Sequence, residues 1–92
     1  MDDVEVKIPG PLRDFAGGEH CLHAAPGTVA EVLGELGRRH PQLLPRILAP
    51  DGQLRPFVNV FVGRSNVRAL EGLATEVPPG AVLSILPAVA GG

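Results

Sequence analysis

Few side chains in this 92-residue chain can do chemistry, and most of them stand alone. Its one cysteine, Cys21, lies between His20 and His23, and a strand there would put Cys21 and His23 on one face. A structural metal site needs four ligands, and no convincing further partners are in view, so no metal site is expected. Nothing beside Cys21 in the sequence is placed to activate its thiol as a nucleophile. Ser65 and Ser84 stand outside any G-x-S-x-G elbow. No phosphate-cradling G-x-x-x-x-G-K-[ST] loop exists, and Lys7 is the only lysine. What remains is Gly91-Gly92, where the chain ends in a carboxylate with no side chain to hinder a reagent. The charge-free run Pro87-Ala88-Val89-Ala90-Gly91-Gly92 has little to pack with and reads as a flexible tail after a domain spanning residues 1–86.

Composition narrows the classes. Ninety-two residues make one domain, and 45% hydrophobic with 20% charged residues describes an ordinary globular protein. The net charge of −2, without a basic run and with only 3% aromatics, argues against nucleic-acid partners. No apolar run approaches the roughly 20 residues that span a bilayer. The acidic start Met1-Asp2-Asp3 is unlike a signal peptide, so neither a membrane association nor a membrane partner is expected. A single cysteine excludes an internal disulfide and suits a cytoplasmic location.

Several elements can be placed by pattern. Val4-Glu5-Val6-Lys7-Ile8 alternates as a strand with one buried face, and Pro9-Gly10-Pro11 ends it. Leu12–Ala16 leads to a Gly17-Gly18 turn, and Glu19–Ala24 returns as a second strand. Thr28 and Glu31 have capping-box spacing, opening a helix with Val29, Val32, Leu33, Leu36 and His40 on one stripe. Acids early and Arg38-Arg39 late suit the helix dipole, and Pro41 stops the helix. Leu43–Leu48 reads as a short second helical turn. Phe57–Val62 is a strand by propensity, turned by Gly63–Asn66 into a partner strand starting at Val67-Arg68. Leu70–Val77 reads as irregular, and Pro78-Pro79-Gly80 turns into a last strand, Ala81–Leu86.

That order predicts an α+β roll: a mixed sheet of four to five strands with one main helix on one face. The other face then meets water or a partner. With Val58, Val60 and Val62 in the core, Phe57 and Phe61 fall on the open face, whereas a one-residue slip would exchange them. Leu83 and Ile85 point inward on the last strand, with Ser84 and Leu86 outward. Phe57, Phe61 and Leu86 are the candidate docking surface, since an exposed apolar patch marks an interaction site more often than chance.

Three segments carry a resemblance: Phe57-Val58-Asn59-Val60-Phe61-Val62, Gly72-Leu73-Ala74-Thr75, and Ile85-Leu86 followed by Pro87-Ala88-Val89-Ala90-Gly91-Gly92. Together with the strand order, they resemble the ubiquitin-like sulfur carrier family, which includes the thiamine carrier and the small subunit of molybdopterin synthase. Within it the chain looks most like the carriers serving cysteine biosynthesis in actinobacteria.

The resemblance implies a ubiquitin-like β-grasp roll, free as a monomer, acting as a co-substrate rather than an enzyme. It implies that an E1-like adenylating enzyme activates Gly92 with ATP and Mg. This chain itself would bind no cofactor. A sulfur donor would then convert Gly92 to a thiocarboxylate, with Pro87, Ala88, Val89, Ala90 and Gly91 threading into the partner sites. The acceptor would be a cysteine synthase-like or thiosugar synthase-like enzyme. Two alternatives stay open: a molybdopterin synthase small subunit and a protein modifier. Leu86-Pro87-Ala88 leans away from the first, whose members typically carry Pro-Pro before Val-Ala-Gly-Gly.

Overall fold

The computed structural model describes residues 2–87. Five strands form a mixed sheet in the order β2-β1-β7-β4-β5: β1 Val4–Lys7, β2 Cys21–Ala24, β4 Val58–Val62, β5 Ser65–Asn66 and β7 Val82–Pro87. The central neighbours β1 and β7 run parallel, while every other pair in the sheet is antiparallel. The main helix, α1 (Val29–Arg39), buries Val29, Val32, Leu33 and Leu36. These meet the inward side chains Val4, Val6, Leu22, Val58, Val60, Leu83 and Ile85 in one core. This is the expected β-grasp roll. No helix among the described residues is long and apolar enough to cross a membrane.

Local chemistry sets the start of α1. The Thr28 hydroxyl accepts from Glu31 N–H at 3.1 Å, and the Glu31 carboxylate accepts from Thr28 N–H at 2.8 Å, completing the capping box. A third free donor, Val29 N–H, reaches the Thr75 carbonyl at 2.9 Å. Thr75 is itself buried, and its hydroxyl accepts from Glu71 N–H at 3.0 Å. The Gly72–Thr75 segment is thus a 3-10 turn, opened by Gly72 at φ 58°, that docks a backbone acceptor on the helix start.

Two local expectations need correction. Leu70–Val77 is not irregular: Gly72–Ala74 is a 3-10 helix, and β6 (Glu76–Val77) pairs with β3 (Gly27–Thr28) as a separate ribbon. Two-residue strands have no alternation to read. The partner of β4 is Ser65–Asn66, not a strand starting at Val67. Gly63, at φ 59°, permits a two-residue turn, and the Asn66 side chain accepts from Arg68 N–H to start a 3-10 turn at Val67. The Gly10–Phe15 segment is a 3-10 helix that buries Leu12 inside the β1–β2 connection. The short helix after Pro41 is present as α2, Leu44–Ile47.

The α1–α2 contact can be tested with two glycines of α1. A Cβ at Gly34 would meet nothing closer than Arg38 Nη1 at 3.9 Å, whereas one at Gly37 would stand 2.8 Å from Leu44 Cδ2 and 3.1 Å from Leu44 Cβ. Gly34→Ala should stabilise by about 0.5–1 kcal/mol and raise the melting temperature by about 2–8 °C. Gly37→Ala should lose that gain, because α2 must move. Equal melting temperatures for the two variants would contradict the described packing.

Candidate functional site

The sheet face away from α1 carries the outward residues of four strands: Glu5 and Lys7, Cys21 and His23, Ser84 and Leu86, and Asn59 and Phe61. The valine register holds in β4, with Val58 and Val60 buried at 3% and 0%. Val62 is half-buried near the strand end. On the opposite face Phe61 is half-buried and Leu86 is 49% exposed, while Phe57, 57% exposed, lies in the turn before β4 and lines a hollow with Phe15, Gln42, Pro45, Arg46 and Arg55. Leu86 lies directly opposite Asn59, so Phe61 is its diagonal neighbour across the ladder. Phe57 stands just before the strand, one residue from the Val58–Pro87 pair. Of the expected docking residues, Phe61 and Leu86 are neighbours on the open face, and Phe57 stands apart from them in the turn before β4.

The ladder around that end is asymmetric. β7 pairs with β1 over Val82–Ser84 but with β4 over Leu83–Pro87, so among the described residues its last residues have one partner strand only. Pro87 continues the strand one residue beyond the expected Leu86, at a terminal position where its missing N–H is tolerated. The start of β4, which faces it, is held firmly. Arg68 donates from one guanidinium nitrogen to the Arg55 and Val58 carbonyls, each at 2.7 Å. Arg55 Nε in turn donates to the Pro45 carbonyl at 2.8 Å. The remaining expected site residues, Ala88, Val89, Ala90, Gly91 and Gly92, lie outside the described residues.

One grouping escaped the sequence. The cross-strand pair Glu5–His23 brings a carboxylate to the face shared by Cys21 and His23. One donor atom from each of the three lies within 4.8 Å of the others. No local motif signals this, because Glu5 lies 16 residues before Cys21 and only the β1–β2 register joins them. Partial burial pushes the Cys21 thiol up from its ordinary range, and the neighbouring Glu5 carboxylate adds to that. The thiol is therefore neutral near pH 7, which disfavours a nucleophilic role.

A small roll with a buried helix face, an open sheet face and a terminal diglycine defines the ubiquitin-like carriers, and the chain belongs to the ThiS family, whose profile matches residues 6–92. It is a sulfur carrier, a protein co-substrate rather than a catalyst. It is 38% identical over 92 residues to the sulfur carrier protein CysO of Mycobacterium tuberculosis, covering 98% of this chain and 99% of the relative. The crystal structure of the Amycolatopsis orientalis BexX/CysO complex contains a chain that superposes with a TM-score of 0.90 at 43% identity, over 97% of this chain and 99% of that one. The small archaeal modifier protein 3 of Haloferax volcanii is 38% identical over 98% of this chain and 99% of its own length.

The face assignment predicts opposite outcomes at adjacent residues. Ile85 is 1% exposed, so Ile85→Ala should cost about 2–5 kcal/mol of stability in urea unfolding. Leu86→Ala should stay within about 0.5 kcal/mol of the parent. A large loss at Leu86 would reverse the register.

Proposed function

We propose that the Gly92 carboxylate is where sulfur is loaded. A terminal carboxylate with a pKa of about 3.5 is ionised at neutral pH and resists nucleophiles, so it must first be activated. In the proposed sequence a partner E1-like enzyme uses ATP with Mg to form the Gly92 acyl-adenylate, releasing pyrophosphate. A sulfur donor then delivers sulfide to the carbonyl carbon. The C–O bond to AMP breaks as the C–S bond forms, leaving the thiocarboxylate and AMP. Glycine at the last two positions leaves the carbonyl unshielded during both additions. The observation that carries this reading is the family match running through Gly92.

Docking on these partners is assigned to Phe61 and Leu86, diagonal neighbours on the open face of β4 and β7, and to the exposed Phe57, which precedes the residue opposite Pro87. The BexX/CysO complex supports a carrier that works while bound to a second protein. The acceptor is proposed to be an enzyme of cysteine or thiosugar synthesis, in the cytoplasm, where ATP-driven activation takes place. A protein-modifier role is the second reading, favoured by the likeness to small archaeal modifier protein 3. Under that reading the activated Gly92 carbonyl passes to a lysine amine instead of sulfide.

Intact-mass spectrometry separates the two readings. Incubation with the activating enzyme, ATP–Mg and a sulfide source should add the mass difference of one oxygen exchanged for sulfur. Deleting Gly92 should abolish it; a deletion variant that still gains the mass would overturn the site. Isopeptide adducts on partner lysines in place of the exchange would favour the modifier reading. Phe57→Asp should weaken the complex with the activating enzyme at least tenfold while leaving the melting temperature close to the parent's.

A further inference from the structure

At the edge of the sheet farthest from β4 and β5, strands β2 and β1 present a second cluster that the carrier chemistry does not use. Glu5 and His23 are directly opposite in the antiparallel ladder, and Cys21 is two residues before His23 on the same face. Their carboxylate, imidazole and thiol donor atoms all lie within 4.8 Å of one another. Glu5 and Cys21 are half-buried and His23 is exposed. The three line one solvent-open hollow with Lys7, Ile8, Arg13 and His20.

We propose that Glu5, Cys21 and His23 bind Zn²⁺ through three protein ligands, leaving the fourth tetrahedral position to solvent.

The geometry and the donor set favour this ion. Zinc bonds of about 2.0–2.3 Å to oxygen, nitrogen and sulfur give tetrahedral ligand separations of roughly 3.3–3.7 Å. Donor atoms up to 4.8 Å apart therefore have to close by at most about 1–1.5 Å, which rotation of the exposed His23 and the long Glu5 side chain can supply. A mixed oxygen, nitrogen and sulfur set suits zinc, whereas magnesium and calcium take oxygen ligands. The Glu5 carboxylate and the Cys21 thiolate together balance the charge of the dication. Of the two cations in the hollow, Arg13 is already committed, donating from Nε to the Ile8 carbonyl at 3.1 Å. Binding exchanges the Cys21 S–H bond for an S–Zn bond, and the proton leaves to solvent. No redox partner is needed. The site lies on the same sheet face as Phe61 and Leu86, but β7 and β1 separate it from them. It therefore stands independently of the sulfur reading.

Cobalt(II) titration of the full chain tests the proposal, because a Co²⁺–thiolate bond gives a near-ultraviolet charge-transfer band. The expected result is one equivalent of Co²⁺ bound with that band and with tetrahedral visible bands, both removed by added Zn²⁺. Cys21→Ser should abolish the charge-transfer band, and Glu5→Gln and His23→Ala should each weaken Zn²⁺ binding by more than about tenfold. His20→Ala should leave the affinity within about threefold, as suits a residue outside the ligand set. Circular dichroism on each variant verifies that the fold is kept. Absence of the sulfur band at stoichiometric Co²⁺, or unchanged Zn²⁺ affinity in Cys21→Ser, would overturn the site.

Discussion

The structure depends on β7 being an inner strand. The last described strand enters between β1 and β4, and its inward residues Leu83 and Ile85 are 0% and 1% exposed. The parallel β1–β7 pair joins the two ends of the chain, so the helix, the ribbon and both hairpins must all fit between them. Full burial of a leucine or isoleucine side chain contributes about 1.5–3 kcal/mol, which makes the inward pair a strong lock on register. A slip of one residue would bury Ser84 and Leu86 in their place. The outward patch thus follows from the inward one: Leu86 is exposed because Ile85 is not.

Pairing on one side only beyond Ser84 gives the strand end a distinct character. Its remaining ladder partner is β4, and the start of β4 is held by Arg68 through two backbone carbonyls. Charge-assisted bonds of this kind are worth more than neutral ones, and here they fix the backbone that faces Pro87. A firmly held strand end suits a carrier. Under the proposed function the domain supplies a stable address, and the chemistry belongs to the enzyme that receives the terminus.

Much of this was legible in the sequence, for identifiable reasons. The capping box of Thr28 and Glu31, the helix stripe and the valine alternation in Phe57–Val62 are local patterns, and local patterns carry through folding. The 3-10 turn at Gly72–Thr75 and the β3–β6 ribbon were not legible, since each depends on a distant backbone group and on too few residues to show a period. Gly72-Leu73-Ala74-Thr75 stands out in the sequence only by family likeness, and its physical role is the acceptor it gives to Val29. Glu5 was hidden for a similar reason. Its alternation with Val4 and Val6 showed which face it takes, but not that His23 would stand opposite. The role proposed for Gly92 rests on the family likeness, in which a terminal diglycine and the roll occur together.

The central claim is that sulfur is carried on the Gly92 carbonyl carbon and not on the chain's one thiol. Fragmentation mass spectrometry of the activated, sulfur-loaded protein tests this most directly. The account predicts an oxygen-for-sulfur exchange confined to fragments containing Gly92, with Cys21 unmodified. Sulfur added to Cys21 as a persulfide, with an unchanged terminal fragment, would contradict it.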